Sequence, residues 1–356
     1  MDRAEHHRMS GDIEQPHQEA ERGSGPDIDG TQHLSALAAP GALADWRLAL
    51  CFETAHDAGV LDGLPATAPQ IAAARRLDEA AVRAILYVLV AWEYATVDDN
   101  GVFSVGPRGT GQQERAALAQ HGAWIRRWAT LVPRRVHDRQ AAAPDEPPRP
   151  DPAVGLALLE SASRPYHGPV TQACRSAYAD GVAAPANMRV LDLGGGHGAY
   201  ALEFARHGCV TTMQDLPGVI DLARTDGRLA SAGVELVAGD AFVELPAGPF
   251  DLVLCGTLTN IFDMARVRDL LGRLRGILAS DGQLAIATWV RDRGPVGAAF
   301  GVQMLVATPG GDAHSEDDYR AALGDAGYSD IRVTEHGDPP LALILARCGE
   351  VLHARS

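Results

Sequence analysis

Val190-Leu-Asp-Leu-Gly-Gly-Gly-His-Gly-Ala-Tyr200 is the stretch on which the fold turns. The apolar run from Met188 to Leu193 reads as a buried parallel strand. It breaks into glycine at Gly194, Gly195, Gly196 and Gly198, and a helical pattern follows with Tyr200, Leu202, Phe204 and Ala205 as its apolar members. Strand, glycine loop and helix make the first unit of a nucleotide-binding α/β domain. The backbone there must turn sharply and admit a ligand where a Cβ would collide, and the helix N-terminus presents free N–H groups to an anionic group.

Two ligand classes compete for such a loop. Gly194, Gly196 and Ala199 fit the dinucleotide pattern G-x-G-x-x-G/A. Asp192 argues against that reading, because a carboxylate in the last turn of the strand repels a pyrophosphate and suits the ammonium of an amino acid. With Gly198 it completes D-x-G-x-G-x-G, the arrangement that binds S-adenosyl-L-methionine (SAM). The loop favours SAM over NAD.

The chain has 356 residues, enough for a large core and two domains. It contains no apolar run of membrane-spanning length, and residues 1–29 are polar and lack the apolar centre of a signal peptide. Cys51, Cys174, Cys209, Cys255 and Cys348 lie far apart without a C-x-x-C pair, as expected for reduced thiols in a cytoplasm. A formal net charge of −15 disfavours a nucleic-acid partner, and no metal-ligating constellation stands out.

Upstream of the glycine loop, residues 1–33 lack periodicity and read as a disordered tail. From Leu34 the pattern is helical, with Leu43, Trp46, Leu48, Leu50 and Phe52 among its apolar positions and an interruption at Pro40-Gly41. Thr67-Ala-Pro-Gln70 is a capping box opening a short helix to Arg76. Asp78 caps a second helix whose apolar face is Val82, Ile85, Leu86, Leu89 and Val90. Residues 95–105 read as two strands about an Asp-Asn-Gly turn. Together these make a winged helix. Its second helix offers one internal arginine and is otherwise apolar, which points to a dimerisation module and not to DNA reading. Residues 110–140 are helical, with Trp124, Ile125, Trp128 and Leu131 on one stripe. Helices over 154–159 and 170–178 flank Arg164-Pro-Tyr-His167, expected to border a substrate cleft. The implied division is a tail (1–33), a winged-helix dimerisation domain (34–110), a helical connector with the substrate pocket (111–185) and the ligand-binding α/β domain (186–356).

Downstream, strands and helices alternate. A second strand, Val210 to Gln214, ends at Asp215, placed to hold a ribose diol; the plainer reading of Asp215 is a cap for the helix from Pro217. A third strand, 235–238, leads into Gly239-Asp-Ala-Phe242, where Asp240 can accept from an exocyclic amine and Phe242 can lie against a ring. A fourth strand spans 250–255 and a fifth 283–290, after a turn at Ser280-Asp-Gly282. Residues 328–335 and 341–348 are joined too closely for a parallel crossover and must form an antiparallel hairpin.

From residue 34 to the C-terminus the chain resembles small-molecule SAM-dependent O-methyltransferases of the plant caffeate and bacterial hydroxyneurosporene type. The motifs that carry the likeness are Val190–Gly198, Gln214-Asp-Leu-Pro-Gly-Val219, Gly239-Asp-Ala-Phe242, Leu271–Leu278 with Asp281-Gly282, and Asp317-Asp-Tyr-Arg320 through Ala326-Gly-Tyr328. The resemblance implies a Rossmann-like SAM domain, a parallel sheet with a C-terminal antiparallel hairpin, behind a mainly helical winged-helix dimerisation domain. It implies a cytoplasmic homodimer that methylates a small secondary metabolite, with neither a nucleic-acid nor a membrane partner. The implied cofactor-binding residues are Asp192, Gly194, Gly196, Gly198, Asp215, Leu216, Asp240, Ala241 and Phe242.

The family places a His just past the fourth strand. Here that stretch is Gly256-Thr-Leu-Thr-Asn-Ile-Phe262, so Asn260 aligns with the His, or Thr259 with a slip of one. Neither is a base near neutral pH. Asp312 stands where the family carries a second carboxylate. The catalytic set read from sequence is therefore Asn260, Thr259 and Asp312, acting by proximity. The alternative is a SAM-binding relative that has turned to hydroxylation, decarboxylation or a pericyclic step.

Overall fold

The computed structural model describes residues 46–109, 111–140, 152–178 and 187–348. The expected tail, the helix through Leu43 and the Pro40-Gly41 break lie outside the described residues.

The described chain opens with helix α1 (Trp46–Asp57), which buries Leu48, Ala49, Phe52 and Ala55. A two-residue strand β1 (Ala66–Thr67) runs into α2 (Ala68–Arg75). The Thr67 side chain accepts from the Gln70 amide and the Gln70 side chain accepts from the Thr67 amide, the expected capping box. Helix α3 (Glu79–Ala91) starts where the Asp78 carboxylate accepts the Ala81 N–H at 2.8 Å, and it buries Val82, Leu86 and Leu89. Strands β2 (Ala95–Val97) and β3 (Val102–Val105) pair antiparallel, and β1 adds to the far edge of β3. This is the winged-helix arrangement, packed around Phe52, Ile71, Leu86, Leu89, Tyr94 and Phe103.

Helix α4 (Gln112–Arg135) follows, then α5 (Pro152–Ser163) and α6 (His167–Tyr178), both longer than their apolar patterns predict. The sheet begins with β4 (Arg189–Leu193), and α7 (Ala199–Arg206) starts at Gly198. The chain continues through β5 (Val210–Asp215), α8 (Pro217–Asp226), α9 (Arg228–Ser231), β6 (Glu235–Ala238), β7 (Phe250–Gly256), α10 (Met264–Arg275) and β8 (Leu278–Thr288). It ends with α11 (Gly294–Ala307), α12 (Glu316–Asp325), β9 (Tyr328–His336) and β10 (Leu341–Cys348).

The sheet order is β6-β5-β4-β7-β8-β10-β9. β4, β5, β6, β7 and β8 are parallel, while β10 runs antiparallel to both its neighbours, β8 and β9. The strands reverse their order between β4 and β7. That is the switch point at which open α/β sheets leave a crevice beyond the strand ends. Alternate residues feed opposite faces, the period of two that a pleated strand imposes. Leu191, Leu193, Val253, Cys255, Leu284 and Ile286 meet α10 and α12. Val190, Leu252, Leu254, Ala285 and Ala287 meet α6 and α7 on the other side.

One expected element differs. The fifth strand begins at Leu278, not at residue 283, and stops at Thr288, so Trp289 and Val290 lie past its end. Ser280-Asp-Gly282 is not a turn preceding the strand but an irregularity within it, where the pairing jumps from Phe250–Leu278 to Leu252–Gln283. A Cβ on Gly282 would stand 2.9 Å from the Ala279 backbone, so the doubled-back chain requires glycine there.

Helix α4 is fastened to α11 and the loop after it. The Trp128 indole donates to Gln303 Oε1 at 2.7 Å, and Leu131 packs on Val306. Arg135 and Arg139 donate to the carbonyls of Leu305 and Gly311, and Gln140 to that of Pro309 at 3.0 Å. Cations and amides placed on the C-terminal carbonyls of a helix satisfy acceptors that the helix itself leaves open. Helix α11 carries Phe300 and is thereby held against the end of the sheet.

Candidate active site

Beyond the C-terminal ends of β4, β5, β6 and β7 lies a cavity of about 430 Å³. Its lining includes Asp192, Gly194, Gly196, Asp215, Leu216, Asp240, Ala241 and Phe242, all of them predicted from the sequence. Gly198 is not in the lining but caps α7 in the left-handed region, at φ 71°. Gly194 is left-handed too, at φ 65°, and a Cβ there would stand 2.7 Å from the Leu258 side chain. At Gly195 a Cβ would stand 2.8 Å from Asp192 Oδ2 and from Met213. Side chains in this loop would fill the cradle that the glycines leave.

Asp192 is 1% exposed. Its Oδ2 accepts the Ala201 N–H at 3.1 Å, so it caps α7 from the strand beneath, while Oδ1 is buried with no hydrogen-bond partner. Burial pushes its pKa up to about 7; the Ala201 N–H pulls it down and the Asp215 charge pushes it further up. Asp215 accepts from the Gly196 amide at 2.8 Å and from the Leu216 amide at 2.7 Å. It does not cap the next helix, whose N-cap is Leu216. Its pKa is also raised by burial, against those two N–H donors. Asp240 Oδ1 accepts the Phe242 N–H at 2.8 Å. The Arg266 guanidinium lies 4.0 Å from the Phe242 ring centroid, and Phe262 meets Phe242 edge-on at 4.9 Å.

The rest of the cavity wall is apolar: Leu156, Leu159, Tyr166, Trp289, Phe300 and Leu341. Tyr166 and Trp289 stand edge to face at 5.7 Å, and Trp289 and Phe300 lie tilted to each other at 6.1 Å. The Tyr166 hydroxyl donates to the Pro339 carbonyl at 2.7 Å, and burial takes its pKa up to about 12. Thr257, also in the lining, has φ 53°, a strained value for a β-branched residue and one of the kind that clusters at functional sites.

The structure places the expected catalytic set behind the cavity wall. Asn260, Thr259 and Asp312 are absent from the cavity lining. Asn260 is fully buried, and its amide donates to the carbonyls of Asp312 at 2.9 Å and Trp289 at 3.2 Å while its oxygen accepts from the Thr288 hydroxyl. Thr259 is buried with its hydroxyl 2.7 Å from that of Tyr319. The Asp312 carboxylate pairs with Arg291 at 3.3 Å. The structure does bring Asn260 and Asp312 together, and the Asp312 N–H also bonds the Asn260 carbonyl at 3.0 Å. That contact joins two loops. The sequence places Asn260 correctly after the strand, but the direction of a side chain in a short 3₁₀ turn is set by partners far along the chain.

A cluster that sequence reasoning left unassigned lies at the glycine loop. Ser163 Oγ is 2.7 Å from His167 Nε2 and 3.1 Å from His197 Nε2, and both Ser163 and His197 line the cavity. His167 stacks edge-on against Tyr200 at 4.9 Å. The expectation that residues 164–167 border the cleft holds for Tyr166. His197 was visible inside the quoted motif, but nothing local indicated that Ser163 would meet it.

Comparison with known proteins agrees with this architecture. Residues 184–329 match the O-methyltransferase domain family. Among curated proteins, the 3-hydroxy-5-methyl-1-naphthoate 3-O-methyltransferase of Streptomyces sahachiroi is 32% identical over 216 residues, covering 56% of this chain and 61% of that one. Mouse acetylserotonin O-methyltransferase is 31% identical over 172 residues, covering 45% and 44%. The chain thus spans less than two thirds of the length of either relative. The crystal structure of human N-acetylserotonin methyltransferase in complex with SAM shares the fold at a TM-score of 0.68, with 18% identity over 85% of this chain and 94% of that one. The domain at residues 184–329 belongs to the O-methyltransferase family.

Two outcomes follow from the geometry. A folded-state pKa of about 7, above the ordinary 3.8, means that Asp192 favours the fold while protonated. That contribution is fully present below about pH 4 and is lost as pH rises through 7. Asp192→Asn removes this loss, so urea titrations at pH 5 and pH 8 should show the variant gaining stability on wild type at the higher pH. Asn260→Ala strips partners from two carbonyls and a hydroxyl at once. It should lower the stability in urea by about 1–3 kcal/mol or more, at about 1–3 kcal/mol per stranded buried group. An unchanged midpoint would show that those bonds do not hold the loops.

Proposed function

We propose that this protein transfers a methyl group from SAM to a hydroxyl oxygen of a small metabolite. The observation that carries the reading is the bare Oδ1 of Asp192 at the wall of a glycine-lined cavity. A buried carboxylate without a counter-charge suits a cationic ligand and repels a pyrophosphate. Asp192 would hold the ammonium, Asp215 the ribose hydroxyls, and Asp240 with Phe242 the adenine. The glycine backbone at 194 and 196 would lie along the methionyl chain. The ligand's sulfonium supplies an already activated methyl carbon.

The chain's own residues do the rest by placement. Tyr166, Trp289, Phe300 and Leu341 offer an apolar, aromatic wall that can hold a planar acceptor and exclude water. Positioning of this kind contributes up to about 7–11 kcal/mol, against about 10²–10⁴-fold for a general base. With Asn260 occupied by structural bonds, transfer relies on the first effect and on an acceptor that ionises readily. The absence of an ionisable group at Asn260 also motivates the second reading, a non-methylating tailoring step.

Methyl-labelled SAM, incubated with the protein and a panel of hydroxynaphthoates and N-acetylserotonin, tests the two readings together. Label in an O-methyl product supports the first; a changed acceptor with SAM intact supports the second. Calorimetry should show SAM affinity reduced about tenfold or more in Asp215→Ala, the cost of losing hydrogen bonds to a charged group. Equal affinity would remove Asp215 from the site.

We also infer a homodimer built through the winged-helix module. Trp46, Tyr87 and Val105 of that module are large apolar side chains more than half exposed, a surface that association would cover. Sedimentation should give twice the chain mass of 37.6 kDa at micromolar concentration; a stable monomer would refute it.

A further inference from the structure

Tyr200, in the first turn of α7, lines the cavity but has no part in the reading above. Its ring fills the space left by Gly256, the last residue of β7, where a Cβ would stand 3.0 Å from the ring. His167 meets the ring edge-on at 4.9 Å. The residue is only 6% exposed, yet its hydroxyl makes no hydrogen bond to a described residue. The hydroxyl is not sealed in the interior either, so the access it keeps opens on the cavity. A polar group in such a place costs about 1–3 kcal/mol unless something bound there gives it a partner. The other phenol of the wall, Tyr166, is already spent on the Pro339 carbonyl.

The sheet order locates this hydroxyl. Strands β4, β7 and β8 are neighbours. β4 carries Asp192 and leads into the glycine loop, while Trp289, just past β8, faces Tyr166 and Phe300. Tyr200 starts from the β4 side and leans on the end of β7, so it stands where the acids meet the aromatic wall. The titratable groups about it are Asp192, Cys174, Tyr166 and His167. Burial takes Cys174 up to about 12 and His167 down to about 4, so both are neutral. Burial, and after it the Asp192 charge, holds the Tyr200 hydroxyl well above the ordinary phenol range. It keeps its proton and is a donor, not a base. Arg266, the one arginine among the described lining residues, is stacked on Phe242 beyond β6.

We propose that the Tyr200 hydroxyl donates a hydrogen bond to the reacting oxygen of a planar phenolic acceptor and holds it as the phenolate; this rests on the methyl-transfer reading above. The acceptor ring lies in the slot between Tyr166, Trp289 and Phe300. Its hydroxyl proton leaves to water. The oxygen then bonds the methyl carbon as the carbon–sulfur bond breaks, with the electron pair of that bond staying on sulfur. Tyr200 keeps its own proton throughout. A donor fixed in advance in a dry pocket favours the anion over the neutral phenol, and an O–H bond to an oxyanion is short and strong. The Asp192 charge, which opposes an oxyanion, is the one that the ligand's ammonium meets. Tyr200 thereby lowers the acceptor's pKa, and with it the need for a base at position 260.

Absorbance titration of 2-naphthol bound to the full chain tests this, because naphthol and naphtholate absorb at different wavelengths. S-adenosylhomocysteine is kept saturating; it lacks the sulfonium charge, so the shift reports the protein's own groups. The pKa of bound naphthol should lie about one to two pH units below that of free naphthol. That is the about ten- to hundredfold preference expected of a hydrogen bond to a charged group. Tyr200→Phe, which keeps the ring against Gly256, should abolish the shift and leave S-adenosylhomocysteine affinity within about twofold. A 3-fluorotyrosine at position 200, a stronger donor of nearly the same shape, should deepen the shift. Equal naphthol pKa values in wild type and Tyr200→Phe overturn the proposal, as does failure of 2-naphthol to bind the wild-type complex. A large loss of S-adenosylhomocysteine affinity in Tyr200→Phe would assign the hydroxyl to the cofactor and overturn it too. Failure of the wild type to bind S-adenosylhomocysteine at all would overturn the SAM reading itself.

Discussion

A carboxylate buried at the end of the central strand constrains everything around it. Asp192 reaches across the glycine loop to the third amide of α7, which fixes the angle at which the helix leaves the strand. A side chain at Gly195 would collide with that carboxylate, so that position has to be backbone alone. One oxygen is consumed by the helix and the other is left bare. In a dry environment the bare oxygen is costly unless it is protonated or meets a cation. The same arrangement that joins strand to helix therefore leaves a ligand-seeking charge, and site and fold share one interaction.

The sheet turns that local arrangement into a pocket with two different ends. Parallel order places the acids of β4, β5 and β6 on one rim, where their mutual repulsion is tolerable only with hydrogen bonds to backbone amides, as at Asp215. On the other side of the switch point, β8 ends early and releases Trp289 from the sheet, so the indole faces Tyr166 and Phe300 and leaves the strand stack. Insertion of β10 beside β8 brings Leu341 to the same wall. Helix α4, which begins only a few residues after the winged-helix module, holds α11 and with it Phe300. The aromatic wall is thus supported by the N-terminal half of the chain, whereas the acids are set by the sheet.

How much of this was legible in the sequence follows the range of the interactions. Capping at Thr67 and Asp78, the glycine loop, the strand-end acids and the closing hairpin depend on residues within a few positions of each other, and each was found where the pattern placed it. The start of β8 was missed because Ser280-Asp-Gly282 has turn chemistry, and only pairing with β7 shows that the strand resumes across it. The hold of α4 on α11 and the meeting of Ser163 with His197 join residues distant in sequence and have no periodic signature. Asn260 was located by resemblance, yet its orientation depends on Trp289, Thr288 and Asp312, none of them its neighbours.

The case of Asn260 shows what a neutral amide does at the position where the resemblance led us to expect an imidazole. A primary amide offers two N–H donors and an accepting oxygen on one planar group. Here all are used: two carbonyls from different segments take the donors and the Thr288 hydroxyl is received by the oxygen. A neutral imidazole has one donor and one acceptor, so it could join at most one of those carbonyls and would leave the other stranded in the interior. The amide therefore ties the end of β8, the turn after β7 and the loop at 308–314 into a single block behind the aromatic wall. A titratable group in that position would gain a proton acceptor and lose the tie. In this chain the amide at position 260 serves to fix the wall, and under the methyl-transfer reading proposed above a fixed wall would act by placement.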